Sequence, residues 1–170
     1  KCENQWSKYN RKRPEREKGK TFFIIIHTTE GNKGGSLAKL KEYGEAHYLV
    51  DKTGKVYKIM KEHLVAKHSG RSMWNNLRNI DNYSVGIEME GTYKKEPTEA
   101  QYKTLKALLK DIRSDYGNVP NENIMPHSMV AYGTPNRWNK FNHRGRKMCG
   151  MLYATKNVRD KLGLGLGPDH

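Results

Sequence analysis

The apolar residues of this chain are gathered into a few short segments separated by long polar stretches. Thr21-Phe22-Phe23-Ile24-Ile25-Ile26-His27-Thr28 runs without polar alternation, the pattern of a strand covered on both faces, and it puts His27 at the end of a buried strand. Behind Ser36, a residue suited to an N-cap, Leu37, Leu40 and Tyr43 recur at helical spacing and predict a helix over 36–45. Ala46 to Asp51 predicts a strand, Lys52-Thr53-Gly54-Lys55 a turn, and Val56 to Met60 the second arm of a hairpin. From Tyr83 to Glu90 the alternation is strict: Val85, Ile87 and Met89 share one face, and Ser84, Gly86, Glu88 and Glu90 share the other. Thr98-Glu99-Ala100-Gln101 is a capping box that opens a helix with Tyr102, Leu105, Leu108, Leu109, Ile112 and Tyr116 on one face, ended by Gly117. From Pro120 to Cys149 glycine, proline and charge predict a long irregular segment, of the kind that usually carries function, before a short helix between Tyr153 and Leu162.

These elements predict an α/β fold: a single domain with a central mixed β-sheet flanked by helices. The chain has 170 residues, which suits one core. Residues 7–20, SKYNRKRPEREKGK, are too polar to add much to that core, so the expected division is a basic N-terminal arm over 1–20, the domain proper over 21–165 and a tail over 166–170. Lys plus Arg number 32 against 18 Asp plus Glu, a net charge of +14, and a field of that sign gathers polyanions such as nucleic acid, teichoic acid, anionic lipid or cell wall. No nucleic-acid docking motif accompanies the charge. The longest apolar run, Phe22 to Ile26, falls far short of the roughly 18 residues a membrane span needs, and residues 1–6 carry no apolar stretch of the secretory kind. Two cysteines, Cys2 and Cys149, are too few for a disulfide framework.

Cys149 gains interest from two histidines. His27 closes the buried strand and His127 follows Met125-Pro126 at the start of the irregular segment. A thiolate and two imidazoles satisfy the ligand preference of zinc and leave its fourth position open, a catalytic and not a structural arrangement. The hundred-residue gap between the histidines has no diagnostic value by itself. His143 is an alternative third ligand on chemical grounds.

Three segments in order, Ile25-Ile26-His27-Thr28, Ala46-His47-Tyr48-Leu49-Val50 with its hairpin, and Asp81-Asn82-Tyr83-Ser84-Val85-Gly86-Ile87-Glu88-Met89-Glu90-Gly91, resemble the type 2 N-acetylmuramoyl-L-alanine amidases. That family includes T7 lysozyme, the AmpD amidases and the peptidoglycan recognition proteins, and the YSVGIEMEG stretch is most similar to the AmpD branch. The resemblance runs from about Thr21 to Met151. It implies a T7 lysozyme-like amidase fold, a zinc cofactor held by His27, His127 and Cys149, and hydrolysis of the amide between N-acetylmuramic acid and L-alanine. It further implies Glu88 as general base, because Ala46 stands where T7 lysozyme carries a tyrosine. Lys147, two positions before Cys149, matches a lysine that would stabilise the oxyanion, although alone it reads as part of a solvated basic run. His68 and Arg71 are expected to contact substrate, Arg71 through a stem-peptide carboxylate. His47 either orients a ligand or is a satisfied core histidine, and Glu90 is either structural or a substrate contact. The expected partner is peptidoglycan, with anionic wall polymers bound through the arm, and the protein is expected to be a monomer working outside the cytoplasm. A recognition module without catalysis is the alternative.

Overall fold

The computed structural model describes residues 2–165 and residue 167, so the expected tail over 166–170 lies, except for Gly167, outside the described residues. In chain order the elements are β1 (Cys2–Asn4), β2 (Phe23–Thr28), α1 (Lys33–Tyr43), β3 (Tyr48–Val50), β4 (Val56–Lys58), β5 (Met73–Trp74), β6 (Leu77–Arg78), β7 (Ser84–Met89), α2 (Glu99–Asp115), β8 (Ile124–Pro126), α3 (His127–Val130) and α4 (Lys156–Lys161). Six strands form one sheet in the order β1-β4-β3-β7-β2-β8, while β5 and β6 make a separate hairpin. Only β3 and β4 pair antiparallel, as their short turn requires; the other pairings in the large sheet are parallel. Among the described residues no helix is long and apolar enough to cross a membrane.

All six residues of β2 are buried, as an unalternated apolar run demands. One face of the sheet carries Ile24, Ile26, Val50, Val85, Ile87 and Met89 against Leu105, Leu109 and Ile112 of α2. Thr98 caps that helix by accepting the Gln101 N–H at 3.1 Å, while the Gln101 side chain accepts the Thr98 N–H at 3.1 Å. Each fully buried leucine on this seam contributes about 1.5–3 kcal/mol. The opposite face is broken into two apolar clusters, one around Leu49, Tyr57 and Ile59, the other around Phe23, Ile25, Met125, Met129 and Val130. The polar side chains of His27, Gly86's neighbour His68, and Glu88 belong to this second face, as the strand alternation predicts for Glu88.

Several boundaries differ from the sequence reading. Helix α1 begins at Lys33 because the Asn32 side chain caps it, accepting from Gly35 N–H at 2.9 Å, four residues ahead of the expected Ser36 cap. Strand β8 was hidden in the expected irregular segment, since it has three residues and ends in proline, which an edge strand tolerates. The basic arm is the larger correction. Residues 2–4 add a parallel edge strand, Glu15 bridges Leu64, and Arg16 is 7% exposed. The Arg16 guanidinium donates to Thr21 Oγ1 at 2.9 Å, Leu64 O at 2.8 Å and Glu62 O at 2.5 Å. A charged side chain surrounded by acceptors can be buried, which composition alone does not reveal.

Candidate active site

Parallel register assembles the site. His27 lies opposite Glu88 across β2 and β7, and Ile26 lies opposite Pro126 across β2 and β8, so His127, the next residue, emerges beside His27. These three strands end on the same side of the sheet, where open α/β folds usually bind ligands. The His27 and His127 rings are 4.7 Å apart between centroids. Cys149 comes from the far end of the irregular segment and is locked there by Gly150. The Gly150 N–H donates to Thr28 Oγ1 at 2.9 Å, and the Ser128 N–H donates to Cys149 O at 3.0 Å. Gly150 has φ +70°, and a Cβ there would stand 2.4 Å from Ile26 O, so only glycine allows this approach.

One ligand atom each of His27, His127 and Cys149 lies within 4.8 Å of the others. Cys149 Sγ and Glu88 Oε2 are both 3.6 Å from His27 Nδ1. These residues, with Thr28, Leu40, Glu45 and Lys147, line a cleft of about 250 Å³. Burial holds His27 well below the ordinary imidazole range, helped by the neighbouring charges of His127, His68 and Lys147. Burial and then the Lys147 ammonium bring His127 down to about 4. The imidazoles are thus neutral donors at neutral pH. Burial pushes the Cys149 thiol up to about 12, with the Glu88 charge adding to it, so a bound cation is what would make the thiolate. Burial foremost, then Glu45, raises Glu88 to about 8. Two neutral imidazoles, one thiol and an open side suit zinc.

The remaining expected residues separate. Lys147 is exposed and lines the cleft together with Cys149. His143 stands apart from the ligand cluster, its ring against Trp74 and Tyr132, which removes it as the third ligand. His47 is fully buried beneath the site: its Nδ1 accepts the Gly86 N–H at 3.0 Å and its Nε2 bonds Leu64 O at 2.6 Å. Both of its ring nitrogens are thereby engaged with backbone. The His68 side chain is 0% exposed, and its ring nitrogens face His27, Ser69 and Ser84, so it backs His27 at the wall of the cleft. Arg71 lines a different cavity of about 600 Å³, with Arg78, Asn79 and Tyr132. A further cavity of about 480 Å³ shares Asn79 with it and His127 and Lys147 with the cleft. Glu90 is structural: it accepts the N–H of Lys33 and of Lys52, each at 2.9 Å. Sequence reasoning missed Ser84, Asp81 and Thr28, although the alternation had already placed Ser84 on the glutamate face.

Two imidazoles and a carboxyl group at the carboxyl ends of parallel strands, with a thiol brought to them by the late loop, define a zinc-hydrolase type of centre. The family model of the N-acetylmuramoyl-L-alanine amidases matches residues 17–149, and the chain belongs to that family. It is 31% identical over 125 residues to the N-acetylmuramoyl-L-alanine amidase AmiD of Escherichia coli, covering 64% of this chain and 45% of AmiD. It is 28% identical over 86 residues to the 1,6-anhydro-N-acetylmuramyl-L-alanine amidase AmpD of Haemophilus influenzae, covering 51% of this chain and 47% of AmpD. The chain therefore spans about half the length of these relatives. Among solved structures, E. coli AmiD in complex with the substrate anhydro-N-acetylmuramic acid-L-Ala-D-gamma-Glu-L-Lys superposes with a TM-score of 0.66 at 26% identity, covering 88% of this chain and 60% of that one. The Ph2119 endolysin from a Thermus scotoductus bacteriophage shares the fold, with a TM-score of 0.65 at 16% identity over 95% of this chain and 98% of its own.

Proposed function

We propose that the chain hydrolyses the amide between the lactyl group of N-acetylmuramic acid and the first L-alanine of the peptidoglycan stem, with zinc held by His27, His127 and Cys149. The observation that carries this reading is the convergence of those three donors within 4.8 Å in a member of the amidase family. Zinc bound there supplies Lewis acidity to a carbonyl and acidifies a water. Glu88, at the cleft floor, would act in its carboxylate form, which a bound cation favours against the burial that raises it, accepting a proton from the attacking water and returning it to the departing alanine nitrogen. The Lys147 ammonium, on the open side, faces the oxyanion that develops on the carbonyl. Arg71 and Arg78 have no carboxylate partner among the described residues, and in the adjoining cavity they suit the anionic end of a stem peptide.

The complete donor set speaks against a recognition module, which would have no use for a buried carboxyl beside three metal donors. The net charge of +14 favours a polymeric anionic wall as substrate, and with it a monomer working outside the cytoplasm. Incubation with purified cell wall, with and without chelator, followed by mass analysis of the new ends, tests the reading. New free L-alanine amino termini that vanish with chelator are the expected result; unaltered wall alongside retained binding would give the recognition module instead.

A further inference from the structure

A neutral imidazole has two tautomers, and a metal can take only the nitrogen without a proton, so whatever bonds the other nitrogen decides whether the ligand is ready. For His27 the structure lets this be traced through atoms that have no choice. Ser84 Oγ lies 2.7 Å from Ile80 O. A carbonyl only accepts, so the single hydroxyl proton is committed there. The same Oγ is 2.9 Å from His68 Nε2 and must therefore accept from it, which puts the His68 proton on Nε2. Asp81 Oδ1, 3.4 Å from that nitrogen, is an acceptor too and agrees with the assignment. His68 Nδ1 is then bare. Its one lone pair faces His27 Nε2 at 3.0 Å and the Ser69 hydroxyl at 3.1 Å; the Ser69 hydroxyl also has the Asp81 carboxyl to donate to, so the lone pair goes to His27 Nε2, which donates. His27 Nδ1 is left without a proton, and it is the nitrogen 3.6 Å from Cys149 Sγ.

We propose that Ser84 and His68 form a positioning relay that fixes His27 as its Nε2-protonated tautomer and aims a bare Nδ1 at the metal position. Gly86 is part of the device. A Cβ at residue 86 would stand 2.5 Å from His68 Cγ, so the missing side chain is what lets the second imidazole slide beneath β7 and reach His27. The relay rests on the zinc reading of the His27, His127 and Cys149 cluster only for its purpose; the tautomer itself is a property of the metal-free protein.

The test separates the two. Long-range proton–nitrogen spectra of the histidine rings in the zinc-free protein, assigned by the signal lost in His27→Gln, should show His27 protonated at Nε2 alone. Protonation at Nδ1 would overturn the relay whatever the metal does, and the answer is read on the wild-type protein, whose His27 ring can also be assigned through its own backbone resonances. Zinc affinity by chelator competition gives the second readout. His68→Leu, which keeps bulk and loses the acceptor, should bind zinc about 10- to 100-fold more weakly and show mixed His27 tautomers. His68→Asn, whose side-chain oxygen can stand near the Nδ1 position, should recover part of that loss. Unchanged zinc affinity in a folded His68→Leu would sink the relay. A wild-type protein that takes up no zinc would remove the metal assignment, and the tautomer spectrum would still decide the relay.

Discussion

Glu88 and Glu90 lie two residues apart on one strand face, yet the structure gives them different work. Glu88 sits 13% exposed at the cleft floor with its carboxyl raised to about 8 by burial, 3.6 Å from His27 Nδ1. Glu90 ties the start of α1 and the β3–β4 turn to the end of β7 through two backbone N–H groups. Glu88→Gln should therefore lower turnover on the order of 10²- to 10⁴-fold while zinc content and melting temperature hold. Glu90→Gln should do the reverse, costing stability with little change in turnover per folded molecule. Near-full activity in Glu88→Gln, or loss of its zinc, would make the residue a bystander or a ligand. Metal analysis carries a second comparison at this scale. Cys149→Ser should lose most zinc and Cys149→Asp should retain some, whereas His143→Ala, whose ring packs on Trp74 and Tyr132, should keep a full complement.

Among the elements, α2 and α4 stabilise the fold by different means. Helix α2 is held by its capping box and its apolar face, and Thr98→Ala should cost about 1 kcal/mol in denaturant unfolding without touching zinc. Arg159 in α4 is 1% exposed and has no apolar role; its guanidinium donates to Ile124 O at 2.5 Å, Asn121 O at 2.8 Å and Gly165 O at 2.9 Å. Two of those bonds fasten the start of β8, the strand that delivers His127, and the third ties Arg159 to the segment after α4. Arg159→Met keeps the length and strands the carbonyls, so it should destabilise by about 2 kcal/mol or more. A melting temperature equal to wild type would show that water replaces all three bonds.

For the whole molecule, the basic N-terminal segment has two jobs. Arg16 and β1 make it part of the domain, while Lys8, Arg11 and Lys12 remain exposed beside the edge of the sheet. Deleting residues 2–20 should accordingly lower thermal stability and turnover of a soluble muropeptide as well as wall binding. Replacing Lys8, Arg11 and Lys12 by glutamine should weaken wall binding alone, most visibly at low salt, because exposed charges are screened over about 10 Å at 0.1 M. Sedimentation with purified wall across a salt series, beside the melting temperature of each variant, measures both. Equal wall binding by the glutamine variant would locate the attraction elsewhere on the surface.

The sequence by itself determined the pieces whose signal is local. The five-residue apolar run Phe22 to Ile26 marked a covered strand, strict alternation put Glu88 opposite Val85, Ile87 and Met89, and Thr98 with Gln101 announced the start of α2. The family motifs added His27, His127, Cys149 and Lys147, which the structure brings to one cleft. Tertiary structure alone decided what depends on partners distant along the chain. Strand order and parallel register put His127 next to His27 across a hundred residues of sequence. Burial of Arg16 and Arg159 depends on carbonyls contributed by other segments, so charge and polarity misplace them on the surface. His47 and His68 look alike in the sequence as histidines near the motifs, and only their neighbours distinguish a ring spent on backbone from one that backs a metal ligand. Periodicity reports which side of an element faces the core; which polar atoms meet there is settled by packing.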